Sequence, residues 1–263
     1  MNTSAPMRPP HQPARRRWLA ADAALMLGAG LAAPVLRAAP AALHAVTLDI
    51  PFFGMTEGGK LAGVFVDVVS ALARASGIAI DNTLMPKIRA QAMLREGTAD
   101  LLVGFDGADL LDRARHVGVV GSFDVGIVAR AGVRLQSLAD LHGKTVGRLR
   151  GVEFSDIFAA DTAIFKQEVN TLPQVLQMVA RGRIDAAIGV REALYYSMKV
   201  AGLDRQRFSS FLSIERRDAW LHYSRKTYDP ALAERLAQAL ERLRASGELA
   251  ALSERYLASV REP

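Results

Sequence analysis

The chain of 263 residues contains no cysteine. That absence excludes disulfides, thiolate metal sites, a cysteine nucleophile and lipid attachment at an N-terminal cysteine. Histidine is scarce, and His11, His44, His116, His142 and His222 fall at no spacing used by local metal motifs. No metal and no other cofactor is therefore expected. The chain also lacks a Gly-x-Ser-x-Gly elbow and a phosphate-binding loop, which leaves the common hydrolase and nucleotide chemistries without a motif. Its most concentrated apolar stretch near the start, Ala23–Val35, is too short to span a bilayer.

What is present is apolar bulk: hydrophobic residues make up 50% of the sequence, enough for one large domain or two small ones. The formal net charge is +6, but Arg8, Arg15, Arg16, Arg17 and Arg37 against Asp22 put +4 of it in residues 1–41. Only +2 is left for the rest, so the basic balance does not imply nucleic acid. Ala14-Arg15-Arg16-Arg17-Trp18-Leu19 resembles a twin-arginine export motif, and Ala39-Pro40-Ala41 offers a cleavage site after the apolar stretch. Asp22 and Ala14 depart from that motif, and export by the general secretory route is the alternative. Either way 1–41 reads as a signal peptide, with a mature periplasmic protein beginning near Ala42. Gly28-Ala29-Gly30-Leu31-Ala32-Ala33 imitates a dinucleotide loop, but no strand precedes it.

Two stretches repeat one another. Met93-Leu94-Arg95-Glu96-Gly97-Thr98-Ala99-Asp100-Leu101-Leu102-Val103-Gly104 shares its Met, both Gly and its Asp with Met178-Val179-Ala180-Arg181-Gly182-Arg183-Ile184-Asp185-Ala186-Ala187-Ile188-Gly189. Each predicts a helix end, a glycine in the left-handed conformation and a short strand buried on both faces. Such strands belong to parallel sheets covered by helices, and two copies this far apart suggest two sheets, hence two lobes. Ligands of open parallel sheets lie beyond the carboxyl ends of the strands, here after Val103 and Ile188.

In order, Val46–Ile50 reads as a first strand stopped by Pro51, and Glu57-Gly58-Gly59 as a hairpin or tight turn. A helix is expected over about Val68–Ala75, a strand over Ile78–Leu84, and a helix opening at Met85-Pro86. Asp229-Pro230 starts a terminal helix to about Ala245, with Leu232, Leu236, Leu240 and Leu243 on one face.

Pro51-Phe52, the run from Gly59 to Asp67, Leu94 to Asp100, Asp112-Arg113, Ser137 to Gly147, Gly182 to Ala186 and Gly247-Glu248-Leu249 stand in the order of one family. Over about Leu43–Leu257 the chain resembles the family 3 bacterial extracellular solute-binding proteins. The resemblance implies an α/β, two-lobe periplasmic-binding-protein type 2 fold with a hinge of two crossing strands. Lobe 1 would be 42–122 plus 222–263, and lobe 2 would be the inserted 126–221. It also implies a monomer that passes a small solute to an inner-membrane ABC permease.

The same resemblance places Arg113 where the family holds the ligand carboxylate, through a guanidinium fork suited to two parallel hydrogen bonds. Two family features are missing: Gly151-Val152-Glu153 replaces a Gly-Thr-Thr turn, and Val190 replaces the aspartate that pairs with the ligand ammonium. A buried ammonium without a counter-ion is costly, so an ordinary α-amino acid in the usual pose is less favoured than the family implies, and the solute expected is small and polar or carboxylate-bearing, amino-acid-like or an organic acid. Asp106, Arg191, Glu192, Glu153, Arg148, Arg150 and Arg89 are candidates for a rebuilt site, and their arginine excess points to an anionic or carboxylated solute. Phe52, Phe53, Phe105 and Phe123 are candidate cleft walls. Two other readings stay open. A cyclohexadienyl dehydratase-like lyase could use Glu153 or Glu192 as general acid or base, and a ligand-sensing module could present the same fold to a membrane receptor.

Overall fold

The computed structural model describes residues 42–107, 110 and 112–258. The export-like segment 1–41 lies outside them. In chain order the strands are β1 (Leu43–Leu48), β2 (Met55–Glu57), β3 (Lys60–Ala62), β4 (Ile80–Met85), β5 (Leu101–Phe105), β6 (Ala114–Ala129), β7 (Thr145–Leu149), β8 (Phe165–Val169), β9 (Ala186–Val190) and β10 (Leu212–Ser224). The α-helices are α1 (Val64–Ser76), α2 (Lys87–Glu96), α3 (Asp156–Ala160), α4 (Leu172–Ala180), α5 (Arg191–Val200), α6 (Pro230–Ala245) and α7 (Glu248–Ala258).

The large sheet has the order β4-β1-β5-β10-β6-β9-β7-β8. Parallel pairs β1–β4 and β1–β5 make one half, and parallel pairs β7–β8 and β7–β9 make the other. The expected two sheets are thus joined into one hydrogen-bonded ladder, because β6 and β10 are long enough to pair with each other and also with β9 and β5 respectively. On β10, the β5 pairing ends at Ala219; on β6, the β9 pairing begins at Val125. Between them Ser122–Asp124 lies against Arg216–Asp218 as a bare two-stranded ribbon. This ribbon joins the halves, upstream on β10 of the apolar run Ala219–Tyr223, which belongs to the first half.

The repeat has a structural cause. Gly97 and Gly182 take φ of 75° and 68°, ending α2 and the turn after α4. The Asp100 carboxylate accepts from the His44 N–H at the start of β1 (2.8 Å), and the Asp100 N–H donates to the His44 carbonyl. Asp185 does the same to Thr145 at the start of β7, with 2.7 Å to its N–H and 2.9 Å to its carbonyl. In both halves the aspartate fastens the start of a neighbouring parallel strand, satisfying backbone groups at the sheet's lower rim. The following strands Leu101–Gly104 and Ala186–Val190 are buried throughout.

Helix α1 starts earlier than its apolar periodicity suggests, because Val64, Phe65 and Val66 are buried. Gly63 makes that entry possible with φ of 117°. A Cβ there would stand 2.5 Å from the Phe53 carbonyl. Gly58 and Gly59 close the β2–β3 hairpin with φ of 56° and 76°, as a two-residue loop of primed type requires. Helix α6 spans the expected residues: the Asp229 side chain caps Ala231 and Leu232, Leu236, Leu240 and Leu243 are buried, and Leu232 is half-buried.

Candidate functional site

Beyond the carboxyl ends of β1, β5 and β9 the two halves face one another. An enclosed cavity of about 20 Å³ lies there, lined chiefly by apolar groups: Leu48 and Ile50 from the first half, Val152, Phe154 and Val190 from the second, and Val125 from the ribbon side. That volume holds about one water. A larger cavity of about 750 Å³ adjoins it, bordered by Lys87, Arg95, Asp106, Arg148, Glu153, Asp156 and Arg217. Lys87, Asp106, Glu153 and Arg217 line both. The site therefore has an apolar floor and a charged mouth.

Arg217 stands at the junction, on β10 opposite Phe123, with its side chain only 18% exposed. Its Nη1 donates to the carbonyls of Glu153 and Phe154 (both 3.1 Å), and its Nη2 to the carbonyl of Asp106 (2.6 Å). One guanidinium thus ties a loop of the second half to the end of β5 in the first. Tyr196 on α5 also crosses, its hydroxyl donating to Glu57 in the hairpin (2.7 Å). Burial, then that hydrogen bond, raises the Tyr196 hydroxyl above the usual phenol range. A Cβ on Gly151 would meet Ile88 of α2 at 2.8 Å, so backbone and side chain touch closely there too.

The candidates from the sequence fall into three groups. Phe105, Asp106 and Glu153 line the inner cavity, and Arg148 borders the mouth, where it pairs with Glu168 (2.9 Å). Val152 and Val190 stand in the inner wall, so the positions that lack the family's polar groups present methyl groups to the cavity. Phe52, Phe123 and Glu192 instead border a separate cavity of about 340 Å³ behind the ribbon, with Arg244 and α7. Phe52 is fully buried, has φ of 79°, and packs edge-on against Phe53, Phe123, Tyr196 and Tyr256. Desolvation raises the Glu192 carboxyl, one of whose oxygens is buried without a partner among the described residues. Arg191 pairs with Asp124 of the ribbon (2.9 Å) and lies over the Phe211 ring.

Arg113, Arg89 and Arg150 are placed elsewhere. Arg113 is exposed in the turn before β6, where its carbonyl accepts from the Arg225 N–H (3.0 Å). Ala114 pairs with Ser224 while Phe105, at the cleft end of β5, pairs with Ala219. Arg113 accordingly stands toward the opposite end of the half-sheet. Arg89 is exposed on α2, and Arg150 lies near Glu168 (3.8 Å).

Sequence reasoning missed Arg217. Its signal was a charged run, Glu215-Arg216-Arg217-Asp218, set directly before the apolar end of an otherwise strand-like stretch. It also missed a cluster that pairing creates. His116 and His222 are cross-strand partners, Asp106 reaches them from the end of β5, and the donor atoms of all three lie within 4.8 Å of one another. Burial holds His222 down to about 4, so its ring is neutral at pH 7.

A model for "Bacterial extracellular solute-binding proteins, family 3" matches residues 44–259. A probable amino-acid-binding protein of Bacillus subtilis, YxeM, is 26% identical over 212 residues, covering 78% of this chain and 79% of that protein. Among solved structures, a histidine kinase sensor domain similar to periplasmic binding proteins superposes with a TM-score of 0.72 at 21% identity, over 84% of this chain and 98% of the other. The arginine-, lysine-, histidine-binding protein ArtJ of Geobacillus stearothermophilus gives 0.70 at 15% identity, over 85% and 97%. The fold is the two-lobe type 2 arrangement with a two-strand hinge. Among the described residues no helix is long and apolar enough to cross a membrane.

Proposed function

Because the chain belongs to the bacterial extracellular solute-binding proteins of family 3, we propose that it captures a small carboxylate-bearing solute with an apolar body and delivers it to an inner-membrane ABC permease. In this reading lobe 1 is 42–122 with 222–263, lobe 2 is 126–221, the segment 1–41 directs export, and the mature protein acts as a periplasmic monomer.

The observation that carries the reading is Arg217 at the boundary between the apolar floor and the charged mouth. Its two Nη groups are held by carbonyl oxygens, which a solute carboxylate displaces with stronger, charge-assisted bonds, while its Nε lies 3.7 Å from a Glu215 carboxylate oxygen. Leu48, Ile50, Phe105 and Phe154 favour an apolar group beneath that carboxylate. Val190 and Val152 supply no counter-ion for an ammonium, and the Asp106 carboxylate is engaged by His116 at 2.8 Å. An amino group on the solute would face Glu153 or Asp156 at the mouth instead. The inner cavity is too small for a solute, so entry requires the lobes to part, and contacts to both lobes then favour closure by their differential affinity.

Calorimetry of the mature chain against amino acids, dicarboxylates and apolar or aromatic monocarboxylates tests this. The expected result is binding of a carboxylate that weakens at least about tenfold in Arg217→Ala and is unchanged in Arg113→Ala. Affinity that survives Arg217→Ala but is lost in Arg113→Ala would return the anchor to the position implied by the family motif.

A further inference from the structure

We propose that Asp106, His116 and His222 form a site for a divalent transition-metal ion of the zinc class. The three come from neighbouring strands in the order β5-β10-β6. His116 and His222 are directly opposite each other, which projects both rings from the same face of the sheet. Asp106 Oδ1 lies 2.8 Å from His116 Nε2 and 3.7 Å from His222 Nε2. Donors bound to zinc at about 2.0–2.1 Å in a tetrahedron stand roughly 3.3 Å apart, so the observed spacings bracket the required one.

Two features distinguish this cluster from an incidental aspartate–histidine contact. The Trp220 ring stacks on His116 at 4.1 Å with an interplanar angle of 13°, fixing the plane of a ring that is otherwise partly exposed. His222 is 1% exposed, and its Nε2, the nitrogen on the Asp106 side, also lies 3.2 Å from the Gly104 carbonyl; an ion bound at Nε2 takes the place of the proton shared with that carbonyl and leaves the ring proton on Nδ1. Finally, Arg217 is directed at the Asp106 carbonyl and Arg115 lies over the Tyr228 ring, so in these contacts neither guanidinium occupies the carboxylate oxygen that faces the histidines.

Two imidazoles and one carboxylate select Zn²⁺, Co²⁺, Ni²⁺ or Cu²⁺ over Mg²⁺ and Ca²⁺, which favour oxygen-only shells. His116 borders a cavity of about 370 Å³ with Ala114, Arg115 and Arg225, and this leaves space for a water or an anion to complete the coordination. The bound ion would fix Asp106, whose carbonyl Arg217 holds at the solute cleft.

The experiment is titration of the untagged, chelator-treated mature chain with Zn²⁺ alone, followed by calorimetry, and with Co²⁺ followed by visible absorption. Expected are one ion per chain, a Co²⁺ spectrum of low coordination number, and a dissociation constant raised at least about tenfold in His116→Ala. His142→Ala, which removes the separate pair with Asp161 (3.1 Å), serves as the control and leaves both readings unchanged. His116 is partly exposed at the sheet surface, so circular dichroism is expected to show its variant folded. Zinc bound equally by wild type and His116→Ala, or less than one ion per chain, overturns the proposal. Solute affinity is a separate measurement, so such a result would leave the carboxylate reading standing.

Discussion

Arg217→Ala is the sharpest perturbation available. The guanidinium makes three hydrogen bonds to backbone carbonyls, two on the Glu153–Phe154 loop and one on Asp106. Those acceptors belong to opposite halves of the sheet, so parting the halves would break at least one bond. A hydrogen bond to a charged group contributes about 1.5–3 kcal/mol. Losing a single one shifts the closed-to-open ratio by roughly 10- to 150-fold. If the solute is held tightly only by the closed form, its apparent dissociation constant rises by up to the same factor. Arg217→Lys supplies a point charge without the planar fork and is expected to fall between wild type and alanine. Small-angle scattering of the ligand-free mature chain reports the populations, and calorimetry reports affinity. Identical scattering profiles and identical affinities for wild type and Arg217→Ala would refute the interlobe role.

Other consequences can be checked by unfolding. A Cβ on Gly126 would lie 2.0 Å from the Leu212 carbonyl and 2.5 Å from the Phe211 ring, whereas one on Gly107 meets nothing within 4 Å. Gly126→Ala is therefore expected to cost about 3 kcal/mol or more, roughly 6–12 °C in Tm, with Gly107→Ala near wild type. Glu192, whose carboxyl is raised mainly by desolvation, binds its proton more readily folded than unfolded. Its contribution falls as pH rises from the unfolded value toward the folded one, so Glu192→Gln should raise Tm at pH 7, and that gain should vanish in acid. Asp185→Ala leaves the Thr145 N–H without its carboxylate and should lower stability by about 1 kcal/mol, with Asp100→Ala close to it, read from denaturant midpoints at unchanged slope.

Local signals carried much of the fold. Gly97 and Gly182 stop their segments, Asp229-Pro230 starts α6, and the Gly58-Gly59 hairpin lies where turn chemistry puts it. The repeat was legible as a pattern, but its meaning required the pairing of β1 with β5 and of β7 with β9, since the partners His44 and Thr145 lie far away in sequence. Part of the candidate site was legible: Phe105 and Asp106 at a strand end and Glu153 in the turn after β7 all line the inner cavity. Arg217 was hidden because a charged residue in a strand ordinarily faces solvent, and only the inserted topology turns this one inward. The Asp106, His116 and His222 cluster has no linear spacing at all, because strand register alone creates it.

The bare ribbon also bears on how the two halves of the sheet would part. Ser122–Asp124 and Arg216–Asp218 are paired with no third strand on either side among the described residues, and the Ser122 hydroxyl donates to Asp218 across the pair. Opening by torsion about such a ribbon alters dihedral angles without parting its backbone ladder. In amide hydrogen exchange, the N–H groups directed across the ribbon should thus stay protected whether the cleft is open or shut, while their outward-facing neighbours exchange freely. A hinge of that kind leaves an alternating protection pattern, residue by residue, that solute binding does not erase.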